Sequence, residues 1–230
     1  MISVCVATYN GEKYIENQLH SILPQLSEDD EIIISDDGSV DSTISIIESF
    51  NDRRIRLEEN KTKHGINSNF ENAIKHAKGD YIFLSDQDDV WMSDKLKRCL
   101  PYLEKYDCIL HDGYVTDGQL NIMKNSIIGN QHLGGFISNL CHNKFTGCCM
   151  AFKASVKDII IPIPKSKYFL HDQWIGLLCL LKLKTYFIPD KLIYFRRHQE
   201  NSSSATGRSE RSLLKRVYSR VLLLSYLLFR

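Results

Sequence analysis

Between Phe83 and Trp91 the chain reads FLSDQDDVW, with carboxylates at Asp86, Asp88 and Asp89. Three like charges in four positions repel one another, and burying them unpaired is costly. A helix cap or a turn uses one carboxylate, so capping does not account for the triplet. A hard divalent cation, Mg²⁺ or Mn²⁺, is the natural missing charge. Such an ion takes one or two protein carboxylates, keeps several waters and completes its shell with phosphate oxygens. The triplet therefore points to a diphosphate bridged by metal. Two further stretches carry polar groups of the right type, Thr8-Tyr9-Asn10-Gly11 and Asp36-Asp37-Gly38-Ser39. The second, alone, is an ordinary turn sequence.

The segments between these stretches explain how they come together. Ile2 to Ala7, Glu31 to Ser35, Tyr81 to Ser85 and Cys108 to Leu110 are short, mostly apolar runs suited to buried strands, and Arg54 to Leu57 reads as a further, shorter strand. Glu12 to Leu26, the stretch capped by Asp41-Ser42-Thr43, Ile66 to Lys78 and Asp94 to Lys105 have helical spacing, with Gly79 expected as a C-cap. Strand and helix in alternation predict a parallel sheet covered on both faces. Right-handed crossovers place the strand ends on one rim, where open α/β sheets bind ligands. Thr8 to Gly11, Asp36 to Ser39 and Asp86 to Asp89 all fall on that rim. Asp37 is then well placed to accept from a base N–H or a ribose hydroxyl.

Other diphosphate folds fit poorly. The segment Ala7-Thr8-Tyr9-Asn10-Gly11-Glu12 lacks the glycines of a dinucleotide-binding turn, and no Gly-rich loop ends in Lys and Ser or Thr. With 29 basic and 28 acidic residues, global charge gives no sign of nucleic-acid binding. The seven cysteines are odd in number and form no C-x-x-C, which reads as reduced thiols rather than a disulfide framework or zinc site. No signal peptide is read at Met1, and no apolar stretch reaches the ~18 residues of a membrane span.

The later sequence is less regular. Residues 113 to 145 read as loop, Thr146 to Phe152 as a strand, His171 to Leu181 as a helix, and Thr185 to Ile188 and Leu192 to Phe195 as two short strands. Asn201 to Ser209 reads as a Ser-rich linker. The end of the chain sets Arg208, Arg211, Lys215, Arg216 and Arg220 beside Leu213, Leu214, Val217, Val221, Leu224 and Leu228. That is a basic amphipathic helix, suited to an anionic membrane face or to packing on protein.

Six stretches in order, SVCVATYNGEKYIENQLHSILPQ, ISDDGSVDST, NFENAIKHAKGDYIFLSDQDDVW, TGCCMAFK, HDQW and YFRRHQENSS, resemble a family 2 glycosyltransferase of the GT-A fold, single-domain bacterial O-antigen or capsule type. The resemblance covers about residues 2 to 203. It implies an α/β fold with a mostly parallel central sheet flanked by helices. Residues 1–112 would form a Rossmann-like nucleotide-sugar half and 113–203 an acceptor half, with 204–230 as the basic tail. Thr8, Tyr9 and Asp37 would contact the nucleobase, and Asp86 ribose or a metal-bound water. Asn10, Glu12, Asn69, Gln87 and Trp174 complete the implied nucleotide-sugar contacts. Asp88 would ligate Mn²⁺ or Mg²⁺ with His198, and Asp172 would be the catalytic base.

The implied reaction is inverting transfer of a hexose from UDP-glucose or UDP-galactose to a polyprenyl-diphosphate-linked saccharide, in lipopolysaccharide O-antigen or capsular polysaccharide assembly. A rhamnosyltransferase using dTDP-rhamnose is the alternative donor reading. A nucleotidyltransferase and a non-enzymatic carbohydrate-binding protein are the alternative classes. The implied location is cytoplasmic, peripheral on the inner membrane. Without the resemblance, His171-Asp172 reads first as a helix start, His198 as part of a solvated basic patch, Cys148-Cys149 as strand core, and Trp91 and Trp174 as packing residues.

Overall fold

A computed structural model describes residues 1–61, 64–129, 132–198 and 213–230. The expected linker, Arg208 and Arg211 lie outside the described residues. The chain starts with strand β1 (Ile2–Thr8), helix α1 (Ile15–Ile22), β2 (Glu31–Asp36), α2 (Thr43–Ser49), β3 (Ile55–Glu59), α3 (Ile66–His76) and β4 (Tyr81–Asp86). These strands lie side by side in the order β3-β2-β1-β4, all parallel. Val4, Val6, Ile32, Ile34, Ile82 and Leu84 are buried, as expected for a sheet covered on both faces. Thr8 pairs in register with Asp36, and Ala7 with Asp86, so the three polar stretches share one rim.

The rest of the sheet is mixed. A two-residue strand β5 (Val90–Trp91) precedes α4 (Lys95–Leu103), β6 (Cys108–Thr116) and β7 (Ile122–Lys124). Then follow α5 (Phe136–Cys141), β8 (Met150–Lys153), α6 (Lys157–Ile160), α7 (His171–Lys182), β9 (Thr185–Arg196) and α8 (Leu213–Leu228). β8 runs antiparallel between β4 and β6, β9 is parallel to β6, and β5 is antiparallel to β9. The α/β architecture with helical flanks is thus as expected. The boundary expected at residue 112 falls inside β6, which joins the two halves into one sheet.

Three local readings change. The stretch read as loop from 113 to 145 contains the end of β6, β7 and α5. The two short strands around Pro189-Asp190 are one strand with a register shift against β6 between His111 and Asp112. Gly79 is not a left-handed cap, because α3 ends at Ala77 in extended geometry. Gly79 is required by close approach: a Cβ there would sit 2.6 Å from the Ser3 amide nitrogen of β1.

The last helix has two unlike faces. Leu223, Leu227 and Ser219 are buried, and Tyr218 and Tyr226 meet Tyr168 and Phe169 edge-on. Leu214, Val217, Val221 and Leu228 are exposed. No helix among the described residues is long and apolar enough to cross a membrane.

Candidate active site

The rim opens into a cavity of about 750 Å³. Its walls include Thr8, Tyr9, Asp37, Asn69, Gln87, and the pair Asp86 and Asp88, and its far side is closed by Gly147, His171 and Asp172. The first loop is held shut by side chains. Thr8 donates its hydroxyl to Asp36 Oδ1 at 2.9 Å. Asp36 then accepts the amides of Gly38 (3.0 Å) and Ser39 (2.8 Å) and the Ser39 hydroxyl (2.6 Å). Asp36 is therefore the turn former of this pair. Asp37 turns to the cavity, where its oxygens accept from Asn60 Nδ2 at 2.7 Å and the Gly65 amide at 2.8 Å, with His64 Nδ1 at 3.1 Å.

Several expected ligand contacts have other partners. The Tyr9 amide donates to Gln87 Oε1 at 2.9 Å, and Gln87 Nε2 donates back to the Tyr9 carbonyl at 3.1 Å. Gln87 lines the cavity, but its amide serves to fix the first loop. Asn10 and Glu12 point away from the cavity: Asn10 Oδ1 accepts the Val40 amide, and Glu12 Oε2 accepts the Ser42 amide, each at 2.9 Å. Neither is among the residues that line the cavity. Trp174 is likewise not among them. It is buried in α7, donates Nε1–H to the Ile160 carbonyl at 2.8 Å, and does not reach the cavity. Asn69 does reach it; its Nδ2 donates to the Thr8 carbonyl at 3.0 Å, and its Oδ1 is buried without a partner.

The acidic turn is assembled from both halves of the sheet. β4 delivers Asp86. Asp89 Oδ1 then accepts the amide of Arg196 at 3.1 Å, tying the turn to the end of β9. That tie carries the chain on to His198, whose Nε2 lies 2.8 Å from Asp88 Oδ2. The His198 ring packs on Tyr14 with centroids 4.6 Å apart, and the Arg196 guanidinium covers the same tyrosine. Burial, then the charges of Asp88 and Asp172, push the Asp86 carboxyl up to about 7. Burial, then the charges of Asp88 and Asp86, push Asp89 well above the usual carboxylate range. Asp86 and Asp89 are thus both shifted toward their protonated forms.

A carboxylate oxygen and an imidazole nitrogen that converge suit Mn²⁺ or Mg²⁺, so Asp88 and His198 fit the implied ion. A second group, Asp86, Asp89 and Cys148, brings its ligand atoms within 4.8 Å of one another. Burial pushes the Cys148 thiol upward, so it keeps its proton and serves as a donor beside the two carboxylates. A soft thiol is also a poor ligand for either hard ion.

Across the cavity, Asp172 sits in the first turn of α7 and accepts the Gln173 amide at 2.6 Å. Burial pushes its pKa up to about 7. A carboxyl with that value exchanges protons at neutral pH, which is what a general base requires. Its neighbour His171 stacks on Phe70 at 3.9 Å and is held neutral by burial, with its pKa lowered to about 3. Gly147 must lack a Cβ because one would overlap the His171 ring.

Sequence reasoning missed Tyr14, His64, Gly147 and Lys95 at this site. Lys95 is fully buried and donates Nζ to the Cys148 carbonyl at 2.9 Å. Its position at the start of an amphipathic helix gave no sign of burial, because lysines there are mostly exposed.

Residues 3–160 match the family model for glycosyl transferase family 2. The E. coli UDP-Glc:alpha-D-GlcNAc-diphosphoundecaprenol beta-1,3-glucosyltransferase WfgD is 27% identical over 186 residues, 77% of this chain and 70% of that protein. The Shigella flexneri dTDP-rhamnosyl transferase RfbG is 43% identical over 105 residues, 43% of this chain and 36% of that one. Among solved structures, S. aureus TarS 1-349 in complex with UDP-GlcNAc superposes with a TM-score of 0.73 at 19% identity, covering 97% of this chain and 71% of that one. Glucosyl-3-phosphoglycerate synthase from Mycobacterium tuberculosis with Mn²⁺ and UDP superposes at 0.62 and 18% identity, covering 99% and 78%.

Proposed function

The chain belongs to glycosyl transferase family 2, and from that premise we propose that it moves a hexose from a nucleotide sugar to a lipid-linked saccharide with inversion at the anomeric carbon. The observation that carries this reading is the meeting of Asp172, with a pKa near 7, and the acidic turn across one cavity. Asp172 takes the proton of an acceptor hydroxyl as that oxygen attacks the anomeric carbon, and the bond to the nucleoside diphosphate breaks on the opposite side. Asp37, Thr8 and Tyr9 hold the nucleoside end of the cavity. Asp88 and His198 would hold Mn²⁺ or Mg²⁺, with Asp86 alongside. When bound, the ion offsets charge on the departing diphosphate.

UDP-glucose or UDP-galactose is the favoured donor. The likeness to WfgD, whose name gives UDP-Glc and a diphosphoundecaprenol acceptor, supports both donor and acceptor class. The higher local identity to RfbG keeps dTDP-rhamnose as the second donor reading. The same likenesses support a place in O-antigen or capsule assembly. The exposed face of α8, with Lys215 and Arg216 beside Leu214, Val217 and Val221, suits the cytoplasmic membrane surface, where such an acceptor resides.

Incubation with Mn²⁺ and a panel of UDP-glucose, UDP-galactose, UDP-N-acetylglucosamine and dTDP-rhamnose, scored for slow donor hydrolysis, tests the reaction. Cleavage of one donor, lost with Asp172→Asn, is expected; no cleavage of any would overturn it. For α8, flotation with anionic vesicles is expected for the full chain and not for one ending at Ser204.

A further inference from the structure

Beneath the acidic turn lies a charge that the proposed reaction does not use. Lys95 has no exposed surface. Its ammonium donates to the Cys148 carbonyl at 2.9 Å and lies 3.9 Å from the centroid of the Trp91 ring. Cys148 in turn places its thiol beside both Asp86 and Asp89. Trp91 anchors the same region from the other side, donating Nε1–H to Ser85 Oγ at 3.1 Å. Among the described residues no carboxylate pairs directly with Lys95. Burial pulls its pKa down, and the charge of Asp89 acts against that shift. An ammonium taken out of water without a direct ion pair is expensive to keep. Holding the Cys148 carbonyl alone does not require a charge, since a neutral amide would do it.

We infer that Lys95 is a built-in counter-cation for the Asp86–Asp89 turn, a positioning residue that sets how tightly the turn binds its divalent ion. Asp86, Asp88 and Asp89 as carboxylates, one ammonium and one divalent ion together leave no net charge. Before the ion arrives, Lys95 relieves part of the repulsion between the carboxylates. With the ion bound, the Lys95 charge would repel it, so that the ion is held but remains exchangeable with the departing diphosphate. The inference rests on the metal assignment made above.

The test titrates Mn²⁺ into the full chain by calorimetry, alone and with saturating UDP, dTDP being used in a parallel arm. Lys95→Gln keeps a donor for the Cys148 carbonyl and removes the charge; Lys95→Met removes both. Both variants should bind Mn²⁺ about tenfold more tightly than the wild type. Their melting temperatures without metal should fall, and the rise on adding Mn²⁺ should grow. A purely structural lysine would give unchanged or weaker binding in both, and that result overturns the inference while leaving the metal assignment intact. Absence of Mn²⁺ binding by the wild type would overturn both. Should neither variant fold, ¹⁵N-lysine NMR on the wild type decides. A solvent-protected ammonium that shifts on Mg²⁺ saturation is expected; a neutral amine, or an ammonium indifferent to Mg²⁺, rejects the role.

Discussion

Two acidic turns close the same rim, one after β2 and one after β4, and they are built in opposite ways. At Asp36-Asp37 every carboxylate meets donors: two amides and two hydroxyls at Asp36, two amide groups and an imidazole at Asp37. At Asp86 to Asp89 the carboxylates crowd one another, and burial pushes Asp86 and Asp89 toward their protonated forms. Asp89 Oδ2 is buried with no hydrogen-bond partner. Carboxylates that find enough donors build structure. Carboxylates left short of positive charge create a demand that an added cation meets.

The contrast can be broken by substitution. The largest effect falls outside both turns, on the group that faces them. Asp172→Asn should lower kcat by about 10²–10⁴, the usual worth of a general base, with nucleoside diphosphate affinity preserved. In the wild type the base must be ionised. Raised to about 7, it is half protonated there, so kcat/KM should fall as pH drops below 7 and level off above it. A profile flat from pH 5.5 to 8 would contradict that assignment.

Next in size, Asp36→Ala removes the centre of the satisfied turn and should cost about 3 kcal/mol of stability by urea unfolding. Asp86→Asn should do the reverse in the absence of metal. The folded pKa of Asp86 is raised from 3.8 to about 7, so its favourable contribution is present below 3.8 and is lost as pH rises through 7. At pH 8 the variant should therefore be more stable than the wild type by about 1 kcal/mol or more, and at pH 3 the gain should vanish. Equal losses from Asp36→Ala and Asp86→Asn would erase the distinction between the turns. The smallest effect is expected at Glu12, whose carboxylate only braces the Ser42 amide: Glu12→Gln should cost under about 1 kcal/mol and leave turnover unchanged.

Much of this arrangement was legible in the sequence, for identifiable reasons. Three of the four parallel strands, β1, β2 and β4, are largely apolar runs bounded by turn residues, and each ends at the polar stretch that names its place on the rim. Asp86, Asp88, Asp37 and Asp172 line the cavity because strand ends and a helix start are fixed by local patterns. β7 and α5 were not legible, since each is too short for a periodicity to register and is formed by pairing and packing at long range. Trp174 lies in the core, and the sequence did not show it because an aromatic on an apolar helix looks the same facing core or cavity. Asn10 and Glu12 stand beside the right loop, but their direction is set by contacts with residues 40 and 42. Lys95 was invisible because periodicity reports where apolar side chains go and says nothing of a buried charge.

Calorimetry of nucleoside diphosphate binding tests the central claim most directly. UDP and dTDP would be titrated into wild type and Asp88→Ala, each with Mn²⁺ and with chelator. Tight binding of one nucleotide by the wild type with Mn²⁺ is expected, weakened at least tenfold by chelator, by Asp88→Ala, or by both together to the same extent. Equal affinity in all four conditions would show that the acidic turn after β4 does not act through a divalent ion.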